Sequence, residues 1–196
     1  MTKLLHQEQE MNVEQKKIID SVKYWLENTI IEFNFCPFAK KEFINQTIHY
    51  QVSKNEDLQC RLTSLENELL RLDESRQLET TLLIYPKGLE SFFDYLDFLS
   101  MANELLLELN YEGVYQLASF HPDYCFEDAK QNDASNYTNR SPFPIIHILR
   151  EESLERVLNK YDKPEDIPKR NIILSQSKGN DFFNKILNQA VNIGKV

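Results

Sequence analysis

The alternation of short apolar strand patterns with longer amphipathic helix patterns constrains this chain most. Residues 79–85 (ETTLLIY) give the clearest strand pattern, and residues 91–110 follow it with apolar side chains at every third or fourth position, as on one face of a helix. The other strand patterns lie at 47–53, 114–121 and 143–149. Because helix patterns separate the first three strands, we expect these strands to be parallel and joined by right-handed crossovers.

The helix patterns carry their own boundary signals. Residues 58–72 bear a leucine stripe at spacings of three and four, and the N-terminal helix pattern ends by Pro37. Candidate capping boxes, in which side chains satisfy the first backbone N–H groups of a helix, occur at 12–15 and 53–56.

Together these patterns predict one α/β domain. Its length of 196 residues, with 41% hydrophobic and 27% charged residues, suits a single globular unit. We expect the domain at 12–196 and a frayed N-terminus at 1–11. The predicted core is β-α-β-α-β-loop-β, a mixed and mostly parallel four-stranded sheet with helices packed on it.

The charge balance argues against a bulk nucleic-acid partner. The chain has 22 Lys and Arg against 31 Asp and Glu, 22 − 31 = −9, whereas nucleic-acid binders depend on basic contacts to phosphate. No stretch is apolar enough for a membrane span, and the first dozen residues lack the apolar core of a signal peptide. We expect an acidic, soluble, cytoplasmic protein without a nucleic-acid or membrane partner.

Cysteine spacing argues against a zinc ribbon or a secreted disulfide framework. Cys36, Cys60 and Cys125 are odd in number, lie far apart and form no CxxC pair. His121, Asp123 and Cys125 lie close in sequence but match no usual spacing of metal ligands. We assign no metal and no cofactor from the sequence, and the oligomeric state stays open.

Polar residues at strand ends are the first candidates for a site, because ligands on open parallel sheets bind beyond the carboxyl ends of strands. Lys87 follows the second strand and precedes a helix N-terminus, which favours anions. Ser119 and His121 end the third strand.

A non-periodic loop at 122–142 follows His121, and loops of this length inside a compact domain are often functional. Asn139, Arg140 and Ser141 lie near its end, and the planar guanidinium of Arg140 suits a carboxylate or phosphate. Arg140 could equally hold the loop by binding backbone carbonyls.

The direction of the fourth strand decides which residues meet His121. The loop shows no crossover helix, which favours an antiparallel fourth strand. Asn139 or Arg140 would then lie within reach of His121, and His147 would be buried in the sheet. A parallel strand would instead bring His147 and Arg150 to His121.

Cys36 is the candidate for thiol reactivity. Its Cys-Pro-Phe-Ala segment resembles the monothiol active-site turn of omega-class glutathione transferases, which implies a low-pKa thiolate at a helix N-terminus. The helical pattern before Cys36 and the lack of a later Val-Pro step depart from those enzymes. A structural cysteine among apolar side chains is the alternative.

Four sequence blocks resemble a known family. The blocks NFCPFA, SFHPDY, TNRSPFP and HILRE are similar to those of the bacterial domain-of-unknown-function family fourteen-fifteen. The similarity extends from about residue 13 to residue 175. It implies a single domain and points to no particular reaction or catalytic residue.

The leading hypothesis is a cytosolic enzyme that acts on a small anionic metabolite. His121 would be the general acid or base, Cys36 the nucleophile, and Arg140 and Lys87 the anion ligands. One alternative is a non-catalytic ligand- or protein-binding domain, and another is a thiol redox or glutathione-dependent protein that uses Cys36. The remaining predicted ligand-binding residues are Asn139, Ser141 and Ser119.

Overall fold

The computed structural model describes residues 12–53 and 56–195, so the predicted frayed segment at 1–11 lies outside the described residues. The strands are β1 (Ile48–Val52), β2 (Thr80–Ile84), β3 (Tyr115–Phe120) and β4 (Ile145–Arg150). The helices are α1 (Val13–Trp25), α2 (Ala39–Ile44), α3 (Leu58–Glu74), α4 (Phe92–Glu108), α5 (Glu151–Leu158), α6 (Ile167–Lys178) and α7 (Asn180–Gly194). A π-helical segment (Leu26–Ile31) continues α1, and short 3₁₀ helices lie at Ala134–Thr138 and Pro164–Asp166.

The four strands form one mixed sheet in the order β1-β2-β4-β3. β1 and β2 pair in parallel, and β4 pairs antiparallel with both β2 and β3. β1, β2 and β3 therefore run in one direction, as their helical connections predict. The single α/β domain with a mixed four-stranded sheet is confirmed.

The expected predominance of parallel pairing needs correction, because β4 occupies the place between β2 and β3. Two of the three hydrogen-bonded pairs are antiparallel as a result. The connection from β3 to β4 contains no crossover helix of the kind that parallel pairing requires. The antiparallel direction predicted for β4 relative to β3 is confirmed.

Helices cover both faces of the sheet. Leu83, Ile146 and Ile148 point to the face covered by α3 and α4, where they pack with Leu69, Tyr95 and other buried side chains. The other face carries the next residues along the same strands, and it packs against α1 and α7. Its buried core includes Leu82, Ile84, Ile145, Val22, Trp25, Phe183 and Ala190.

The helix starts differ in how well the sequence predicts them. The capping box of α1 is confirmed: Asn12 Oδ1 accepts from Gln15 N at 2.7 Å, and Gln15 Oε1 accepts from Asn12 N. The capping box predicted at 53–56 is wrong, because Asp57 caps α3 and accepts from Cys60 N at 3.2 Å. Ser53 still belongs to the sheet, where its N–H donates to Ile84 O at 2.8 Å.

None of the helices in the described ranges is long and apolar enough to cross a membrane.

Candidate functional site

His121 lies just beyond β3, and its ring is buried. Nδ1 accepts from the backbone N–H of Asp123 at 3.0 Å, so the ring proton is on Nε2, which donates to Leu89 O at 2.9 Å. Burial lowers the pKa of His121, although the bond to the Leu89 carbonyl partly opposes this. The phenyl ring of Phe92 and the phenol ring of Tyr95 pack against the imidazole, each with centroids 5.2 Å away.

These contacts fix His121 as a neutral imidazole with both nitrogens occupied by backbone groups. A general acid or base must exchange a proton with substrate through a free nitrogen. Through these two hydrogen bonds, His121 instead connects the loop after β3 to the loop after β2.

The antiparallel β4 brings the start of that strand beside His121. The backbone N–H of His121 donates to Asn139 O at 3.1 Å, and Ser141 N donates to His121 O at 3.4 Å. Asn139 Nδ2 donates to Ser119 O at 3.0 Å, and Ser141 Oγ donates to Phe143 O at 2.5 Å. The polar block at 139–141 thus connects the end of β3 to the segment that leads into β4.

Arg140 is 9% exposed and also bonds to backbone. Its Nε donates to Tyr124 O at 3.0 Å and its Nη2 to Gln131 O at 2.7 Å. The guanidinium stacks over the Tyr137 ring at 5.0 Å, and the Arg140 carbonyl accepts from Trp25 Nε1 at 2.8 Å. These contacts hold the 122–142 loop against α1.

Cys36 lies between the π-helical segment and α2, and it is half-buried. It lines a cavity of about 390 Å³, which we call the Cys36 cavity. Burial raises the pKa of the Cys36 thiol, and the backbone N–H groups of Phe38 and Ala39 oppose the rise without cancelling it. The remaining wall residues are Ile30, Phe35, Phe120, Phe126, Thr138, Asn139, Ile167, Pro168, Asn171 and Ile172.

Two predicted site residues therefore share one cavity, and the others do not reach it. Cys36 and Asn139 line the Cys36 cavity, whereas Arg140 lines a separate depression with Asp123 and Asn180. Lys87 is exposed and lines a third, smaller depression of about 180 Å³. A wider depression of about 770 Å³ lies against α3 and holds none of the predicted site residues.

His147 lies within the sheet on β4, where it is half-buried. Its Nε2 is 2.7 Å from Thr80 Oγ1, and burial lowers its pKa to about 3. Arg150 is at the opposite end of β4 from Asn139, and its guanidinium lies over the Tyr115 ring at 5.4 Å. Neither residue reaches the Cys36 cavity.

The part of the cavity that the sequence did not predict comes from α6. Asn171 Nδ2 donates to Phe35 O at 2.8 Å, which holds α6 against the segment before Cys36. Pro168 and Ile172 form the outer wall. α6 carries several apolar residues among polar ones, at 167, 172, 173 and 174, and this pattern does not indicate which surface the helix covers.

Within 12–53 and 56–195, no three His, Cys, Asp or Glu side chains are grouped closely enough to hold a metal ion.

Comparison with known proteins identifies a family. No curated protein and no solved structure gives a significant match to this chain. Residues 17–185 match the family described as "Protein of unknown function (DUF1415)", which agrees with the resemblance carried by the four sequence blocks. Because this match spans most of the 196 residues, the chain belongs to that family.

Proposed function

We propose that this protein is a small-molecule-binding domain and that the Cys36 cavity is its binding site. The observation that carries the proposal is the cavity itself, which brings the Cys36 thiol and the Asn139 amide to one mostly apolar concavity. Its volume of about 390 Å³ falls in the range of known ligand pockets.

The walls determine the kind of ligand. Phe35, Phe120 and Ile30 present apolar surface, and Asn171 already uses its amide oxygen and one amide N–H for Arg170 and Phe35. Asn139 Nδ2 has a second N–H beyond the one it donates to Ser119 O. The cavity therefore favours a largely apolar molecule with one hydrogen-bond acceptor.

The contacts of His121 favour binding over acid–base catalysis by that residue. Its two ring nitrogens bond to Leu89 O and Asp123 N, and no part of it lines the Cys36 cavity. The guanidinium of Arg140 is likewise outside this cavity. An enzyme built on His121, Arg140 and Cys36 would need these three side chains to meet at one ligand.

A cavity-blocking variant tests the proposal. Ile172 is 43% exposed at the mouth, so Ile172→Trp should fill the cavity with little strain on the fold. Ile173→Trp is the matched control, because Ile173 is 59% exposed and lies outside the cavity lining. The readouts are binding of the fluorescent probe anilinonaphthalene sulfonate and native mass spectrometry for a copurifying molecule.

We expect the natural sequence and Ile173→Trp to bind the probe equally. Ile172→Trp should weaken binding by roughly tenfold or more, because a bulky ring would occupy the site. Unchanged binding by a folded Ile172→Trp protein would contradict the proposal.

Thiol chemistry at Cys36 is a second candidate function, and one observation favours it. The backbone N–H groups of Phe38 and Ala39 face a half-buried thiol that opens into the cavity. Alkylation with iodoacetamide at neutral pH tests it, with the exposed Cys60 as internal control. The raised pKa of Cys36 predicts that Cys60 reacts first, and faster reaction of Cys36 would favour the thiol candidate.

The state of the cysteines supports a cytoplasmic site of action. Cys36, Cys60 and Cys125 form no disulfide bond within the described residues. Free thiols persist in reducing compartments.

A further inference from the structure

The depression beside Arg140 differs in character from the Cys36 cavity and shares no lining residue with it. It measures about 350 Å³, and we call it the Arg140 depression. Its lining side chains carry charge or polar groups that can form hydrogen bonds, namely Asp123, Gln131, Asn132, Tyr137, Arg140, Asn180 and Asn184.

The positively charged guanidinium of Arg140 lines this depression and has hydrogen-bond donors to spare. Two of its N–H groups donate to Tyr124 O and Gln131 O, and the other three of the five guanidinium donors have no acceptor among the described residues. Within the described ranges, no carboxylate oxygen lies within 4.0 Å of it. A nearly buried guanidinium that has no carboxylate partner is neutralised best by a planar anion, which it can bind through two parallel hydrogen bonds.

The same depression also carries acceptors that need donors. Asn180 Oδ1 is buried and has no hydrogen-bond partner among the described residues. Asp123 is exposed at the rim, and within the described ranges no Lys or Arg nitrogen lies within 4.0 Å of its carboxylate. A simple anion would bind Arg140 but would leave these two acceptors without donors. The carboxylate of Asp123 would also repel such an anion.

The start of α7 adds backbone N–H donors to the donors of Arg140. Asn180 is the first residue of this 15-residue helix, and Gly179 before it supplies no side-chain cap. The first N–H groups of an uncapped helix favour negative charge. Donors and acceptors therefore occur together in one small concavity.

We infer that the Arg140 depression binds an α-amino acid. Arg140 and the start of α7 would bind the carboxylate, and Asp123 with Asn180 Oδ1 would bind the ammonium group. This site is independent of the ligand proposed for the Cys36 cavity, so either assignment can fail without the other.

Isothermal titration calorimetry with the full chain tests the inference. Each standard amino acid is titrated in the millimolar range, and the tightest one is compared with its deaminated acid and its decarboxylated amine. Asp123→Asn removes the ammonium partner, and Asp128→Asn is the matched control, because Asp128 is exposed on the same loop and lies outside the lining. Arg140→Lys tests the carboxylate partner, with its folded state checked by circular dichroism.

We expect equimolar binding of at least one amino acid, weakened by roughly tenfold or more when either charged group of the ligand is removed. Asp123→Asn should weaken binding to a similar extent, and Asp128→Asn should not change it. Absence of binding by every amino acid would overturn the inference. Equal binding of the deaminated acid, or binding unaffected by Asp123→Asn, would also overturn it. If Arg140→Lys fails to fold, the Asp123 and Asp128 variants alone decide the outcome.

Discussion

At the scale of single residues, buried polar side chains in this protein are satisfied mainly by backbone groups. His121 bonds to Leu89 O and Asp123 N, and Arg140 bonds to Tyr124 O and Gln131 O. Removing one partner of a buried hydrogen bond costs more than the bond itself contributes, because the other partner stays dehydrated. These side chains therefore determine how rigidly the 122–142 loop is held.

Arg140→Lys should destabilise the protein in the absence of any ligand. Lysine retains the charge but cannot bond to both carbonyls in the planar arrangement of the guanidinium, so we expect the free energy of unfolding to fall by about 2 kcal/mol. Urea unfolding of the natural sequence, Arg140→Lys and the exposed control Arg76→Lys measures the effect. Equal stability of all three would show that the two carbonyl bonds contribute nothing to folding.

The sequence indicated part of this site. Strand ends and a polar loop pointed to 119–121 and 139–141, and the lack of a crossover helix correctly predicted that these segments meet. Whether Arg140 binds carbonyls or a ligand could not be decided, because a guanidinium suits both. The contact of Asn171 with Phe35 joins residues 136 positions apart, and no local pattern encodes such a distance.

At the scale of elements, the periodicity of apolar residues located each strand, α3 and α4 within about two residues, because burial on one face imposes a period. It gave no bounds for α6 and α7. α2 was missed, since its six residues are too few to show that period. The start of α3 was placed at the wrong polar residue. Ser53 and Asp57 both suit an N-cap, and only the sheet bond of Ser53 N to Ile84 O separates them.

Alanine variants at these two positions test the assignment of the α3 cap. Asp57→Ala should lower the free energy of unfolding by about 1 kcal/mol, because Cys60 N loses its acceptor. Ser53→Ala should cost less, since Ser53 Oγ has no hydrogen-bond partner among the described residues. Chemical denaturation of both variants measures the two losses in the free energy of unfolding. A larger loss for Ser53→Ala would indicate that Ser53, and not Asp57, caps α3.

The loop after β2 depends on glycine at one position. Gly88 has a φ of +80°, and an added Cβ would lie 2.1 Å from Arg61 Nη2, which donates to Gly88 O. Gly113 has a similar φ of +76° but nothing within 4 Å of the same point. A substituted side chain would therefore meet the same backbone strain at both positions, but it would clash with a neighbour only at Gly88.

Gly88→Ala should destabilise the protein by about 3 kcal/mol and Gly113→Ala by about 1 kcal/mol. The difference reports the displacement of the buried Arg61 side chain, which packs α3 against this loop. Thermal unfolding of both variants measures it. Similar melting temperatures would mean that Arg61 moves aside without loss.

At the scale of the whole molecule, the sheet has a helical layer on each face, and its interior holds imidazoles as well as apolar side chains. Burial lowers the pKa of both His121 and His147, the latter to about 3. The unfolded chain binds protons at these residues near pH 6.5, where the folded protein does not. The stability that depends on these two neutral histidines is therefore fully present above about pH 6.5. It is lost as the pH falls toward their lower pKa values in the folded protein.

His147→Gln should remove part of this acid sensitivity. The amide can still donate to Thr80 Oγ1, but it has no proton to gain. Between pH 6.5 and pH 4.5 we expect the natural sequence to lose stability more steeply than the variant, by about 1 kcal/mol per pH unit. Urea unfolding of both proteins across this range measures the two slopes, and parallel slopes would contradict the prediction.

The central position of β4 sets the order in which the sheet can be completed during synthesis. β4 is the last strand to be made, yet it pairs with β2 on one side and β3 on the other. Before residues 145–150 are synthesised, β2 has one unpaired edge and β3 has two, and such edges readily pair with other chains. Pairing between distant segments is also slow to form. Nascent or truncated chains that end between 121 and 144 are thus the form of this protein most prone to aggregate.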